Sequence, residues 1–498
     1  MDDNGDNGDK LICHSDGRVE LKADVQEALK TSPLYNHDLA PVRVADRNWS
    51  TYNYVALWFS MSACIPTYMM SSGLIASGMN AGQALFTILL GNTIVLLPIL
   101  LNSHPGTKYG IPFPVFARAA YGTYGSNLPA LMRAVVACGW FGIQAWIGGQ
   151  ALSTMFNAIH PGFDTMLGGP YGGYSGGQWL SFAIFWGINI LIVYRGMDLL
   201  KKIESFAAPF VLFMTMALVI WAVSQAHGLG DLLKQQSKFD TPMSFIKVFI
   251  PSLSAMIGFW ATLSLNMPDF TRFGRSQKEQ TMGQVVALPT AMAVFSLMGV
   301  MITSAAVVIY PDAKMDELWD PVKLIGRFKE PWIVVTAMFT VALATLSVNV
   351  AANVVSPAND FANALPRYIS FKTGGLITGI MGVLMQPWRL IADPNGYIFV
   401  WLNGYSGGLG AIAGVLIADY WLVQKKNLAL ADLYTKEGKY TFTNGINWVS
   451  FIATALGCIA AWIGMAVPDL KVLCDYGWFV GFGTSLLSYY LLSKSKKN

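Results

Sequence analysis

The chain has 498 residues, enough for two or three soluble domains at the usual ~150 residues each. Hydrophobic residues make up 54% and charged residues 12%, with mean hydropathy +0.44. That is roughly half the ~25% charge of a soluble domain, too little to give several domains a water-compatible surface, so composition points to an integral membrane protein and excludes disorder, coiled coil and collagen.

Residues 1–50 are polar and acidic, with no basic stretch followed by an apolar one, so no cleavable signal peptide is expected. Hydrocarbon is crossed by ~20 mostly apolar helical residues. Twelve stretches qualify, at about 52–77, 81–101, 126–158, 177–195, 204–226, 242–265, 282–310, 330–360, 374–391, 396–424, 446–467 and 472–493, and no soluble domain is left between them. Span 1 reads ALWFSMSACIPTYMM, interrupted by Pro66, which removes a backbone donor. After span 2, the glycine–proline run at 104–122 reads as an intracellular amphipathic or re-entrant connector. Its Lys108 and Arg118 are expected to face the cytoplasm, toward lipid phosphates or Asp residues of other inner loops. Span 3 carries Trp140 and Gln144, four apart and therefore on one helix face. The following GGPYGGYSGG, 168–177, reads as a flexible connector. Span 6 holds Pro251, Gly258, several serines and Trp260, and span 8 holds Asn349 and Asn353, again four apart.

Lysine and arginine bias sets the orientation. With the N-terminus inside, inner segments carry 23 of them and outer loops eight, and 17 against eight remain without the long tail. Both termini are therefore expected in the cytoplasm. Interruptions in spans 1 and 6, five spans apart, are the pattern of an inverted-repeat transporter with its substrate at the breaks. Ordinary proline kinks are the alternative. The net charge of +4 suggests no nucleic-acid footprint. Five scattered cysteines (Cys13, Cys64, Cys138, Cys458, Cys474) suggest neither a disulfide framework nor a zinc site.

Polar side chains inside spans are costly and read as functional. Two tryptophans with carboxamides suit a flat, neutral, hydrogen-bonding heterocycle: indole faces stack on the ring, and amides pair with its N–H and C=O edge. The competing reading is structural, with tryptophan filling core or interface and asparagine joining helices. Carboxylates are nearly absent from span centres: Asp269 follows span 6, Asp360 follows the apolar part of span 8, and Asp419 is near the end of span 10. A buried carboxylate relay is thus poorly supported. A cation could instead be held by carbonyls of a broken helix and hydroxyls such as Ser347. No G-x-x-x-x-G-K-S/T phosphate loop or HExxH pair occurs, which argues against ATP-driven transport and gives a membrane enzyme little to stand on.

The strings HPGTKYGIPFPVFARAAYG (104–122), WFGIQAW (140–146), LNMPDFTRF (265–273), SVNVAANVVSPA (347–358) and IADYWLVQKK (417–426) resemble, in order, the nucleobase:cation symporter-1 family. The resemblance runs through nearly all of the chain beyond residue 40 and is closer to the bacterial hydantoin and allantoin permease branch. It implies an all-α integral membrane fold of twelve transmembrane helices, leucine-transporter-like, with two inverted five-helix repeats, two additional helices and alternating access. On that plan 1–50 is a cytoplasmic tail, 51–426 the ten-helix core, and 427–498 the two additional helices and cytoplasmic C-terminus.

The resemblance also implies substrate-binding roles for Trp140, Gln144, Trp260 and Asn353, joined by Asn349 on the same face. Two positions depart from the family: Cys64 stands where relatives have a carboxamide, and Phe259 where the hydantoin carrier has glycine. Both would belong to the pocket, and both put its exact ring in doubt. The positions matching the family's sodium site are Ser60, Ala63, Ala344, Ser347 and Val348. Ser347 keeps one hydroxyl, but Val348 replaces the threonine that supplies the other, with nearly its shape and none of its oxygen. Sodium and proton both remain as coupling ion, and no cofactor is implied.

The expectation is a cation-coupled secondary transporter in the cell membrane that imports a small neutral nitrogenous heterocycle. Allantoin comes first, since SVNVAAN, LNMPDFTRF and SQKEQ look most like that branch, and hydantoin next; uracil or another nucleobase is the alternative. A non-transporting sensor or scaffold is the alternative of another class, and no appended signalling domain favours it. A channel suits a compact aromatic site between broken helices less well than occlusion does. Expected partners are the substrate and membrane lipid, with no nucleic acid, no obligate protein partner and no enzymatic activity.

Overall fold

The computed structural model describes residues 10–195, 197–225 and 236–495. Residues 1–9 of the tail, Ala226 at the end of the fifth predicted span and the last three residues lie outside them. Span 1 is two helices, α1 (Thr51–Ser62) and α2 (Ile65–Ala76). There follow α3 (Ala81–Tyr109), α4 (Phe113–Tyr121), α5 (Asn127–Ile159), α6 (Gly176–Arg195) and α7 (Met197–Gln225). Span 6 contains α8 (Pro242–Phe259) and α9 (Ala261–Asn266), and α10 is Gln277–Ile309. Span 8 is α11 (Pro331–Asn353) continued by α12 (Val355–Ala364). The remainder is α13 (Phe371–Leu384), α14 (Asn403–Ile417), α15 (Trp448–Trp462) and α16 (Gly477–Ser495).

All twelve predicted spans fall on helix. Among the described residues, eight helices are long and apolar enough to cross a membrane. The others are the broken first span, the short apolar stretch Phe210–Ser224 of the fifth, the 14-residue α13 and the serine- and tyrosine-rich α16. Helix starts follow local chemistry: Asn80 with Gln83, and Thr241 with Ser244, close capping boxes that satisfy the first backbone donors. Burial is inverted relative to a soluble protein. Leu97 is 63% and Leu191 55% exposed, while Asn92, Asn102 and Asn189 are buried, the arrangement that apolar solvent selects. Small residues bring backbones together: a Cβ on Gly382 of α13 would lie 2.9 Å from the Cys138 carbonyl oxygen of α5.

Two sequence expectations need correction. The run at 104–122 does hold a short amphipathic helix, α4, but it does not leave span 2 at once: α3 continues through Pro105 to Tyr109 and stops at Gly110, φ +70°, and α4 follows wholly buried. Arg118 faces neither cytoplasm nor lipid. Fully buried, it donates to Asn363 Oδ1 at 2.7 and 3.0 Å and to the carbonyls of Leu433 and Leu34 at 2.9 and 3.2 Å. A guanidinium has five donors, and here they close three chain segments that a hydropathy profile cannot bring together. Lys108 reaches the Lys426 carbonyl at 2.8 Å rather than an Asp. The 168–177 run is likewise anchored: Tyr171 and Tyr174 bridge, Trp179 donates to the Tyr171 carbonyl at 2.9 Å, and Tyr174 packs 4.7 Å from Trp146.

The tail is partly built into the fold. Leu11–Cys13 pairs with Val19–Leu21, and buried Arg47 donates to the carbonyls of Val19, Thr107 and Lys108 at 2.9, 3.0 and 3.2 Å. Burial lowers the pKa of Arg47 to about 10, so it stays cationic at neutral pH.

Candidate substrate site

Both predicted interruptions are breaks in helix. At the first, Ala63 (φ −78°, ψ 60°) ends α1 and Cys64 (φ −134°, ψ 157°) is extended; Pro66 then starts α2, where a missing N–H costs nothing. The second falls at Trp260 (φ −103°, ψ 9°), nine residues after Pro251 and just past Gly258. Such breaks leave helix-end carbonyls and amides open in the interior.

Aromatic rings gather at the second break. Trp58 meets Trp260 edge to face at 5.1 Å, Trp260 meets Phe259 at 4.8 Å, and Phe259 meets Trp140 at 5.4 Å. Trp140 also faces Tyr397 at 6.2 Å and Trp401 at 6.1 Å. Three predicted residues, Trp140, Phe259 and Trp260, thus share one cluster. Trp58, Tyr397, Trp401 and Tyr405 were not singled out from the sequence, although 397, 401 and 405 are spaced by four, the helical signal that could have found them. Gly396–Leu402 is wound in wide i→i+5 turns, which occur often at functional sites. Tyr397 donates to the Pro66 carbonyl at 3.0 Å, which ties this segment to the first break. Cys64 sits at that break with its thiol 3.3 Å from Thr67 Oγ1.

The carboxamides divide. Asn349 donates to the Phe141 carbonyl at 3.3 Å and to Asn189 Oδ1 at 3.2 Å, and accepts from Asn353 Nδ2 at 3.0 Å. Its amide is taken up by neighbours, so it props Asn353 and fastens α11 to α5. Gln144 Oε1 and Trp260 Nε1, by contrast, are buried with no protein partner. Trp58 Nε1 and Trp401 Nε1 of the same edge-to-face cluster are open as well, and an orphan acceptor with several orphan donors complements a neutral ring that carries both N–H and C=O.

Ser60, Ala63, Ala344, Ser347 and Val348 line one pocket of about 230 Å³ between α1, α7, α10 and α11. Its other walls include Val55, Ala56, Phe59, Val211 and Phe295. Few side-chain oxygens face it, those of Tyr52, Ser60 and Ser347. The three carboxylates at the span ends are buried and partnered. Asp360 pairs with Arg133 at 3.2 Å, both fully buried, within electrostatic reach of Asp269, which accepts the Phe113 N–H at 2.9 Å. Asp419 accepts from Tyr489 at 2.7 Å.

A sequence profile for permeases for cytosine/purines, uracil, thiamine and allantoin matches residues 41–481. An allantoin permease of Bacillus subtilis is 40% identical over 486 residues, 96% of each chain. The purine-uracil permease NCS1 of Arabidopsis thaliana is 38% identical over 428 residues, 86% of this chain and 70% of its own. Among solved structures, Mhp1, a nucleobase-cation-symport-1 family transporter in a closed conformation with bromovinylhydantoin bound, matches with TM-score 0.72 at 26% identity, covering 92% of this chain and 94% of that one.

Proposed function

The chain belongs to the family of permeases for cytosine/purines, uracil, thiamine and allantoin, and from that premise we propose that it imports allantoin, with hydantoins next, across the cell membrane by cation-coupled alternating access. It is a membrane transporter and not an enzyme. In this reading the two tryptophans Trp140 and Trp260 flank the ring, Gln144 and Asn353 read its edge, and Asn349 holds Asn353. Cys64 and Phe259 line the pocket and narrow its choice of ring. The observation that carries the substrate class is the pairing of an unpartnered acceptor, Gln144 Oε1, with an unpartnered donor, Trp260 Nε1, beside packed aromatic rings. A charged substrate would leave its charge without a counter-ion there, at high cost in a dry site.

The missing second hydroxyl beside Ser347 weighs against tight sodium binding and leaves a proton as the other reading for the driving ion. The Lys/Arg bias supports a cytoplasmic position for both termini. Uracil or a purine is the second reading, favoured by the 38% identical purine-uracil permease. Uptake of radiolabelled allantoin into cells expressing the protein, with hydantoin, uracil and purines as competitors, tests both. Uptake that none of these compounds inhibits would end the substrate proposal.

A further inference from the structure

Tyr405 on α14 stands between the two sides of the aromatic cluster. Its hydroxyl accepts the Trp140 indole N–H at 3.1 Å and donates to the Gly258 carbonyl at 2.9 Å. Gly258 lies in the last turn of α8, and its carbonyl, which the Trp260 N–H also reaches, takes the tyrosine hydroxyl at the break. Close approach makes the contact possible: a Cβ on Gly258 would lie 2.7 Å from the Leu402 carbonyl oxygen, so α8 and the start of α14 touch backbone to backbone. Trp401, one turn before Tyr405, packs on both rings, 6.1 Å from Trp140 and 5.1 Å from Tyr405.

The two tryptophans are therefore unequal. The indole N–H of Trp140 is already engaged, which fixes the tilt of its ring, whereas that of Trp260 is open. We infer that Tyr405 is a positioning residue for the substrate: through one hydroxyl it sets the angle of the Trp140 wall against the break in the second discontinuous helix. The inference rests on the reading of Trp140 as a wall of the substrate site. Tyr405 itself need not touch the ring. Its loss would act on affinity, by letting the wall rotate, and would leave the turnover of bound substrate in place.

The test uses the full chain in proteoliposomes, with radiolabelled allantoin binding and uptake. Tyr405→Phe keeps the ring and deletes the hydroxyl; Trp140→Phe breaks the same hydrogen bond from its other end and covers the case that Tyr405→Phe does not fold. Tyr405→Phe is expected to raise KM about 3–10-fold, the size of one net hydrogen bond, with maximal rate unchanged. The double variant Tyr405→Phe/Trp140→Phe is expected to raise KM no more than Trp140→Phe alone, because the Trp140 hydrogen bond, already lost there, is the link by which the hydroxyl acts on the wall. If Tyr405→Phe has wild-type KM while Trp140→Ala is impaired, the inference fails and the site reading stands. Additive losses in the double variant also overturn it. If Trp140→Ala itself binds allantoin normally, the site reading fails, and the inference falls with it.

Discussion

Arg133 and Asp360 are both fully buried and meet at one point, Nη1 to Oδ2 at 3.2 Å. Arg133 Nε and Nη2 and Asp360 Oδ1 have no protein partner. A one-point contact repays the desolvation of two charges poorly, so this pair is expected to add little net stability while being costly to halve. Removing one partner of such a pair costs ~3–5 kcal/mol, whereas replacing both by apolar side chains is often neutral or stabilising by ~1–4 kcal/mol. Arg133→Met should be the worst single change, because it leaves Asp360 facing Asp269. Asp360→Leu should be milder, since Arg133 keeps Asp269 within reach. The double variant should recover most of the loss. A change of ~3 kcal/mol is about a 150-fold shift in the unfolding equilibrium, well within reach of denaturant unfolding in detergent followed by tryptophan fluorescence. A double variant as unstable as Arg133→Met, or an Asp360→Leu variant of wild-type stability, would refute the reasoning.

Val348→Thr restores a second hydroxyl beside Ser347 and should raise the sodium dependence of uptake. It is measured with sodium replaced by choline, with and without an inward proton gradient, and steep sodium dependence of the unmodified protein would contradict the proton reading. Trp260→Phe keeps an aromatic ring but removes the open indole donor, so substrate affinity should fall roughly 3–10-fold, the size of a net hydrogen bond of ~0.5–1.5 kcal/mol; unchanged binding in equilibrium dialysis of purified protein would place the donor outside the site. Gly258→Ala introduces a Cβ 2.7 Å from the Leu402 carbonyl oxygen and should destabilise by ~1–3 kcal/mol through overpacking. A melting temperature equal to wild type would show that α8 and α14 can part without cost.

The helices were legible because hydrocarbon imposes length and apolarity, and these survive averaging along the chain. The breaks were legible for a different reason: Pro66 and Gly258 are poor helix interior residues, and each lies within two residues of a break. Trp140 and Gln144 could be paired from their spacing alone. Arg118 was not legible. Its charge argued for water, and only the fold reveals the Leu34 and Leu433 carbonyls and the Asn363 amide that make burial tolerable. The helical stretch through Pro105 was missed for the converse reason, since proline and glycine lower helix propensity but packing of the α3 end against Thr271 and Arg47 overrides it.

Asn349 and Gln144 show what the sequence cannot separate. Both are carboxamides within an apolar helix, and both are buried. Asn349 finds the Phe141 carbonyl, Asn189 and Asn353 around it, so its polar atoms are answered within the protein and its role is to hold α11 on α5. Gln144 Oε1 finds nothing, and neither does Trp260 Nε1. Buried hydroxyls such as Ser62 and Thr345 also lack partners, but a helical hydroxyl can turn to its own backbone, so their openness says less. An indole N–H has no such freedom, because its direction is set by a packed ring. At hydrocarbon depth an unanswered donor or acceptor costs free energy in every molecule that folds. The indole N–H groups of Trp58 and Trp401 in the same cluster are also unanswered, so on the proposed reading the ring that fits offers an N–H to Gln144 and an oxygen to one or more of these donors.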